Sequence, residues 1–120
     1  DYIGIVELTD TTMATSGDYE RFFEKNGIRY HHILDPKTGY PGEGDLISVS
    51  VICEDGGMAD FLSTAFFLAG KEKAMAYANA DSFDFVLIDQ EKNVYLSEGI
   101  KPFFTPNLEA VDYHFINILD

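Results

Sequence analysis

Tryptophan is absent from the 120 residues, cysteine occurs once, and cations are scarce: Lys plus Arg number 8 against 21 Asp plus Glu, a formal net charge of −13. One cysteine, Cys53, excludes an internal disulfide and any paired-cysteine metal motif. Within the apolar run 49–53 it reads as a small buried hydrophobe. The shortage of cations excludes nucleic acid as a first partner, because that contact needs a basic footprint, and an anionic lipid surface repels the same charge. A phosphate-rich ligand could be held only where a cation or local amides offset the field. Gly and Pro are not in excess and no segment is of low complexity, which excludes disordered and fibrous classes. The longest nearly uncharged apolar stretch, 61–70, falls far short of the ~20 residues of a membrane span. The first residue is Asp1, with no basic-then-apolar leader before it. The expectation is that targeting segments have been removed or that the chain is part of something longer.

Against those absences stand 46% hydrophobic and 14% aromatic residues, with ten Phe and seven Tyr. That is enough for one cored domain, 1–120, and too little for two. Tyr2–Leu8 is β-branched and loosely alternating, so it predicts a strand, followed by a turn over 9–12. Residues 13–17 are small, and a backbone there could come close to a ligand. Tyr19–Glu24 and Ile28–Leu34 flank Asn26-Gly27, the strongest short hairpin signal, because a type I′ turn needs positive φ at both central residues. That register sets Glu24 against Arg29, Phe23 against Tyr30 and Arg21 against His32. Residues 35–42 are turn chemistry throughout. Leu46–Glu54 predicts a strand with 47, 49, 51 and 53 on one face, broken by Asp55-Gly56-Gly57. Met58–Ala69 has helical spacing, with Ala59, Leu62, Phe66 and Ala69 on the apolar face. A second helix is expected over 71–80, strands over 83–88 and 94–96, and a strand through Val111, Tyr113 and Phe115. The class is α+β, a mainly antiparallel sheet with a packed helical segment.

Three constellations could carry chemistry. Asp60 and Thr64 lie four apart on the first helix and share a face. A carboxylate and a hydroxyl near free helix-start amides suit magnesium, which keeps one or two protein carboxylates and takes its other oxygens from phosphate and water. The same pair is also consistent with an ordinary acidic residue and a Thr64 hydroxyl bonding back to the preceding turn. Next is His31-His32-Ile33-Leu34-Asp35-Pro36-Lys37-Thr38-Gly39. Adjacent strand histidines face opposite sides, so one at most looks into a given site. His32, Asp35, Lys37 and Thr38 could supply a base, an orienting carboxylate, a cation and a hydroxyl, or form a solvated hairpin edge and a capped turn. Third, Thr15-Ser16-Gly17-Asp18 is a small-residue turn that either cradles a ligand or simply connects strands. His114, in an apolar tail, reads as structural.

In this order, Ala14-Thr15-Ser16-Gly17-Asp18-Tyr19-Glu20, then Tyr30-His31-His32-Ile33-Leu34-Asp35-Pro36-Lys37-Thr38-Gly39-Tyr40-Pro41, then Ala59-Asp60 with Ser63-Thr64, resemble the ApbE family. Its members are FAD:protein FMN transferases, formerly described as thiamine-biosynthesis lipoproteins. The resemblance covers about Ile5–Leu96. It implies cleavage of FAD and attachment of FMN, through a phosphoester, to a threonine of an acceptor protein such as a redox-complex subunit, with magnesium required. Asp60 and Thr64 look like the family's metal ligands. His32 looks like the motif histidine of the transfer, able to deprotonate the incoming hydroxyl. Thr15, Ser16 and Gly17 resemble the segment lining the flavin site, with Asp35 and Thr38 shaping the loop that carries His32. Phe61 departs from the small residue usual there. Family members are much longer, and a lysine–glycine segment and a metal-binding carbonyl lie upstream in them. The chain is therefore expected to be the C-terminal portion of a flavin transferase, binding FAD poorly on its own, or else a non-catalytic flavin- or metal-binding module of the same fold. The resemblance also implies an extracytoplasmic, lipid-anchored parent. A chain exposing the face its missing portion covers is expected to pair with a second copy, with the strand-like run 111–119 as donor.

Overall fold

Strand β5 (Leu46–Cys53) is buried along nearly its whole length, so the molecule is built on both of its faces. In the computed structural model, which describes residues 2–17, 21–25 (backbone), 28–34, 45–78 (78 by backbone) and 83–116, β5 sits second in a five-stranded sheet. The order is β2 (Thr12–Ser16), β5, β6 (Asp84–Asp89), β7 (Asn93–Leu96) and β9 (His114–Ile116). A four-stranded sheet has the order β3 (Arg21–Lys25), β4 (Ile28–Leu34), β1 (Tyr2–Leu8) and β8 (Phe104–Pro106). All pairings are antiparallel except β7 with β9, which is parallel. Helices α1 (Gly56–Ala69) and α2 (Lys71–Ala78) complete the α+β fold.

Period-2 alternation sends successive side chains of the five-stranded sheet into two separate cores. Met13, Ile47, Ile52, Val86, Ile88, Val94 and Leu96 meet Ile3, Val6, Leu8, Ile33 and Phe104 of the other sheet. Leu46, Val49, Val51, Phe85 and Leu87 meet Ala59, Phe66 and Ala74 of the helices. The result is three layers: helices, five-stranded sheet, four-stranded sheet. At Gly4 an added Cβ would fall 2.3 Å from the Phe104 ring, so the β1–β8 pairing leaves no room for a side chain there.

Several expectations are corrected. Ile47 does not share a face with 49, 51 and 53: the β5–β6 register shifts between Leu46 and Ser48, and this bulge turns Ile47 toward the opposite core. The apolar face of α1 holds Ala59, Ser63 and Phe66, while Ala69 is exposed. Thr12, expected in the turn over 9–12, and Thr15 and Ser16, expected in a small-residue turn, belong to strand β2. In the tail, 104–106 pairs with β1, and the last strand starts at His114 rather than at Val111, which is exposed in a turn. Cys53 is half-buried, its thiol donating to the Asp55 carbonyl (3.2 Å). Burial pushes its pKa up, aided by the nearby charges of Asp55 and Glu54. The hairpin register is as expected, with Glu24 opposite Arg29, Phe23 opposite Tyr30 and Arg21 opposite His32. Asn26-Gly27 themselves lie outside the described residues.

Asp89, 2% exposed, is the only buried carboxylate among the described residues. It accepts from the backbone amides of Glu91 (3.0 Å) and Asn93 (2.9 Å), the Asn93 side chain (3.1 Å), the Tyr95 hydroxyl (3.2 Å) and Lys71 Nζ (3.3 Å). Lys71 also donates to Tyr95 at 3.1 Å, so one carboxylate ties the β6–β7 turn to the start of α2. Burial alone would raise its pKa, but the bonds from Asn93, Lys71 and Glu91 outweigh it and hold the carboxyl below its usual range. A depressed folded pKa contributes stability that is present above the unfolded value of about 3.9 and is lost as pH falls through the folded one. Asp89→Ala is expected to lose about 2–3 kcal/mol by leaving buried donors unpaired. Thermal unfolding followed from neutral to acid pH should show the gap between wild type and variant narrowing below about pH 4.

Candidate functional site

Helix α1 starts at Gly56, two residues before the expected Met58, because Asp55 caps it. The Asp55 carboxylate accepts the amides of Gly57 (2.9 Å) and Met58 (3.1 Å), and its carbonyl accepts that of Ala59 (2.9 Å). This corrects the placing of Asp60 beside free helix-start amides. Those amides are already taken, and Asp60 lies in the second turn. What remains is a shared helix side: Asp60 and Thr64 are both exposed, one turn apart.

Strand β2 reaches α1 at this point. Ser16 pairs with Val49 and Thr15 with Ser50, so the two hydroxyls leave opposite faces of the sheet. Thr15 Oγ1 lies 2.9 Å from Ser50 Oγ, on the side facing the second sheet. Ser16 Oγ turns to the helix, 3.0 Å from Ser63 Oγ and 3.1 Å from Thr64 Oγ1. Ser63, fully buried, also donates to the Asp60 carbonyl at 3.0 Å. Gly17 follows with φ of +101° and would place a Cβ 2.3 Å from the Ile47 carbonyl oxygen. Only glycine lets the chain leave β2 so close to β5.

The structure therefore joins Ser16 of the first motif to Thr64 of the third. Ser63 was not singled out by sequence. Its signal was a hydroxyl interrupting the apolar helix period between Ala59 and Phe66. Thr15, by contrast, is directed into the intersheet layer.

The histidine motif divides as strand alternation requires. His31, opposite Val6, is 4% exposed; His32, opposite Ile5, is half-buried on the outer face, with its ring edge-on to Tyr2 at 4.9 Å between centroids. Helix α1 packs on β2, β5 and α2, whereas β4 packs on β1 and β3. His32 and the Asp60–Thr64 pair thus occupy different layers. Asp35 and Thr38 lie outside the described residues. His114 is exposed on the edge strand β9, its amide bonded to the Lys92 carbonyl.

Among the described residues, no three His, Cys, Asp or Glu side chains converge to hold a metal. A cation at Asp60 would draw on one carboxylate, the Thr64 hydroxyl and water. Magnesium fits that set, being a hard cation that commonly retains several waters. Among the described residues no helix is long and apolar enough to cross a membrane.

Comparison with known proteins agrees with the motifs. Residues 1–87 match the model of the ApbE family. The chain is similar to an FAD:protein FMN transferase of Treponema pallidum, 44% identical over 97 residues, which covers 80% of this chain and 27% of the relative. A Vibrio cholerae protein of the same name is 39% identical over 104 residues, covering 84% and 31%. The solved flavin transferase ApbE from Vibrio cholerae superposes with a TM-score of 0.55 at 36% identity, covering 78% of this chain and 30% of that one. The chain spans less than a third of the length of each of these relatives.

Three substitutions separate the scaffold from the exposed chemistry. Gly17→Ala is expected to destabilise by about 1–3 kcal/mol through strain and the clash with Ile47. His31→Ala should lower the thermal midpoint clearly, while His32→Ala, on the outer face, should lower it little. Equal losses in the two histidine variants would contradict their division between faces.

Proposed function

The chain belongs to the ApbE family, and we propose that it is the C-terminal portion of a magnesium-dependent flavin transferase that attaches FMN from FAD to a threonine of an acceptor protein. The observation that carries this proposal is the contact of Ser16 with Thr64. It joins two motifs 48 residues apart, one proposed to line the flavin site and one to hold the metal. Residues 1–120 form a single domain in this reading, and the parent is proposed to be exported and lipid-anchored.

Asp60 and Thr64 are the proposed magnesium ligands. A magnesium ion bound there would neutralise charge on the pyrophosphate oxygens and orient them for displacement. The acceptor hydroxyl attacks the phosphorus of the FMN half, the pyrophosphate bond breaks, and AMP leaves. His32 is proposed to take the hydroxyl proton, a ring nitrogen of its imidazole serving as the base. Its strand is joined to β5 by residues 35–45, so Asp35 and Thr38 are proposed to shape the connection between the histidine and the layer next to α1. Ser16 and Gly17 present the end of β2 to the flavin diphosphate. Thr15 supports that strand end through Ser50.

The separation of His32 from the α1 pair favours a second reading, in which this part of the fold holds metal and flavin without transferring FMN. The discriminating experiment uses the natural full-length protein, FAD, MgCl2 and a threonine-containing acceptor peptide. Mass spectrometry should find FMN on the peptide, with AMP released in equal amount. Asp60→Asn should abolish the dependence of rate on magnesium while Asp55→Asn leaves it in place. His32→Ala should lower turnover by roughly 10²–10⁴-fold with FAD binding retained. FAD binding without AMP release in the wild type would establish the non-catalytic reading.

For the 120-residue chain alone we propose self-association. Strand β9 pairs with β7 on one side and ends the five-stranded sheet, so the run 111–119 stays the proposed donor through its other edge. A second apolar surface is the exposed stripe Met58, Phe61 and Leu68 on α1, with Phe61 65% exposed. A net charge of −13 opposes pairing, so sedimentation should show a symmetric dimer that tightens as salt screens the repulsion. A monomer at every concentration and salt would defeat this.

A further inference from the structure

Four oxygens run in sequence through the junction of β2 and α1: Thr64 Oγ1, Ser16 Oγ, Ser63 Oγ and the Asp60 carbonyl, separated by 3.1, 3.0 and 3.0 Å. Each hydroxyl has one proton, and the last acceptor has none. If all three contacts are hydrogen bonds, their direction is forced. Ser63 donates to the Asp60 carbonyl, so it can only accept from Ser16. Ser16 has then spent its proton and can only accept from Thr64. The Thr64 proton points inward, and its lone pairs are left toward the exposed side of α1 where Asp60 stands.

We infer that Ser16 and Ser63 are positioning residues that fix the Thr64 hydroxyl as an inward donor and so present its oxygen, lone pairs outward, to a hard divalent cation shared with Asp60. Without the chain a threonine hydroxyl on a helix can turn its proton back to the carbonyl a turn earlier and adopt more than one rotamer. With it, one orientation is selected before a cation arrives, and each bond polarises the next so that the Thr64 oxygen becomes a better ligand. The chain ends on the backbone of Asp60, so the same three bonds register both ligand-bearing residues against β2. A fully buried Ser63 on a helix face otherwise made of Ala59 and Phe66 is accounted for, since an alanine there would pack as well but would end the relay. This inference rests on the reading of Asp60 and Thr64 as metal ligands, and its test is arranged to fail separately from that reading.

The test measures cation affinity rather than turnover, on the natural full-length protein without FAD. Bound Mn²⁺ is followed by electron paramagnetic resonance and displaced with MgCl2, alongside the thermal midpoint of each metal-free variant. Outer-sphere partners of metal ligands commonly carry 10–100-fold in affinity, so Ser16→Ala and Ser63→Ala should each weaken Mn²⁺ binding by about 10-fold or more. Ser16→Thr, which keeps the hydroxyl, should restore it. The double variant should lose little more than either single one, because breaking one link already frees Thr64. Should Asp60→Asn weaken binding while both serine variants, folded and of altered midpoint only, bind Mn²⁺ as the wild type does, the positioning role is overturned and the metal reading stands. Should Asp60→Asn leave Mn²⁺ binding unchanged, or the wild type bind none, the metal reading falls and the inference falls with it.

Discussion

Burial of β5 on both faces is the constraint from which the rest of the arrangement follows. A strand between two cores cannot be half polar, and its run from Leu46 to Ile52 is buried throughout. Two of those positions are Ser48 and Ser50, small hydroxyls on the side that meets the second sheet. Buried polar groups need partners, and Ser50 finds one in Thr15 across the strand pair. That cross-strand bond, and the close approach of Gly17 to the Ile47 carbonyl, fix where β2 ends. The end of β2 then decides what α1 can meet. Ser16 is delivered to the helix because Thr15, one residue earlier, is committed to the opposite face.

Helix α1 is held from three sides, each by different chemistry. Asp55 closes its start through two amides, Phe66 and Ala59 anchor it on β5, and Ser63 bonds it to β2. At its far end Gly70 donates to the Phe66 carbonyl, and Asp45 accepts the amide of Lys71, where α2 begins. Lys71 in turn reaches Asp89 on β6. A cap, an apolar contact and a buried carboxylate thus position one helix relative to one sheet without involving its outer side. Asp60 and Phe61 keep their side chains exposed in this arrangement, and Thr64, also exposed, bonds to Ser16 of β2.

Much of this was legible in the sequence where the signal is local. The Asn26-Gly27 hairpin specified its register because turn type and cross-strand pairs agree over a few residues. The strand at 2–8, both helices and the return at 94–96 were likewise visible in short-range period. What escaped was set by distant partners. The bulge that moves Ile47 to the other core depends on pairing with β6. The segment 104–106 joins β1 nearly a hundred residues upstream, in a tail of mixed period. Thr15 and Ser16 look like part of a turn because their neighbours are small, yet they lie in a strand that pairs along β5. The site shows the same division. Asp60 and Thr64 were recognisable from helical spacing, whereas their link to Ser16 is a tertiary contact. Ser63 looked like a flaw in an apolar face until its two bonds were seen.

Charge decides what this helix surface can accept. Asp60 is the only charged residue of α1, and the nearest cation in sequence, Lys71, is committed to Asp89 and Tyr95. A pyrophosphate approaching Thr64 therefore meets a carboxylate on a protein of net charge −13, and the direct interaction is repulsive. Hydroxyl donors do not reverse that sign, all the less if Thr64 spends its proton inward. A hard divalent cation does reverse it, because it is attracted to carboxylate and phosphate alike and turns a repelling pair into a bridged one. On the proposed reading, the same acidity makes recognition of a phosphate ligand at α1 conditional on metal. If Asp60 and Thr64 hold a cation as proposed, specificity would follow from the order of events: the cation would have to be bound before the anion.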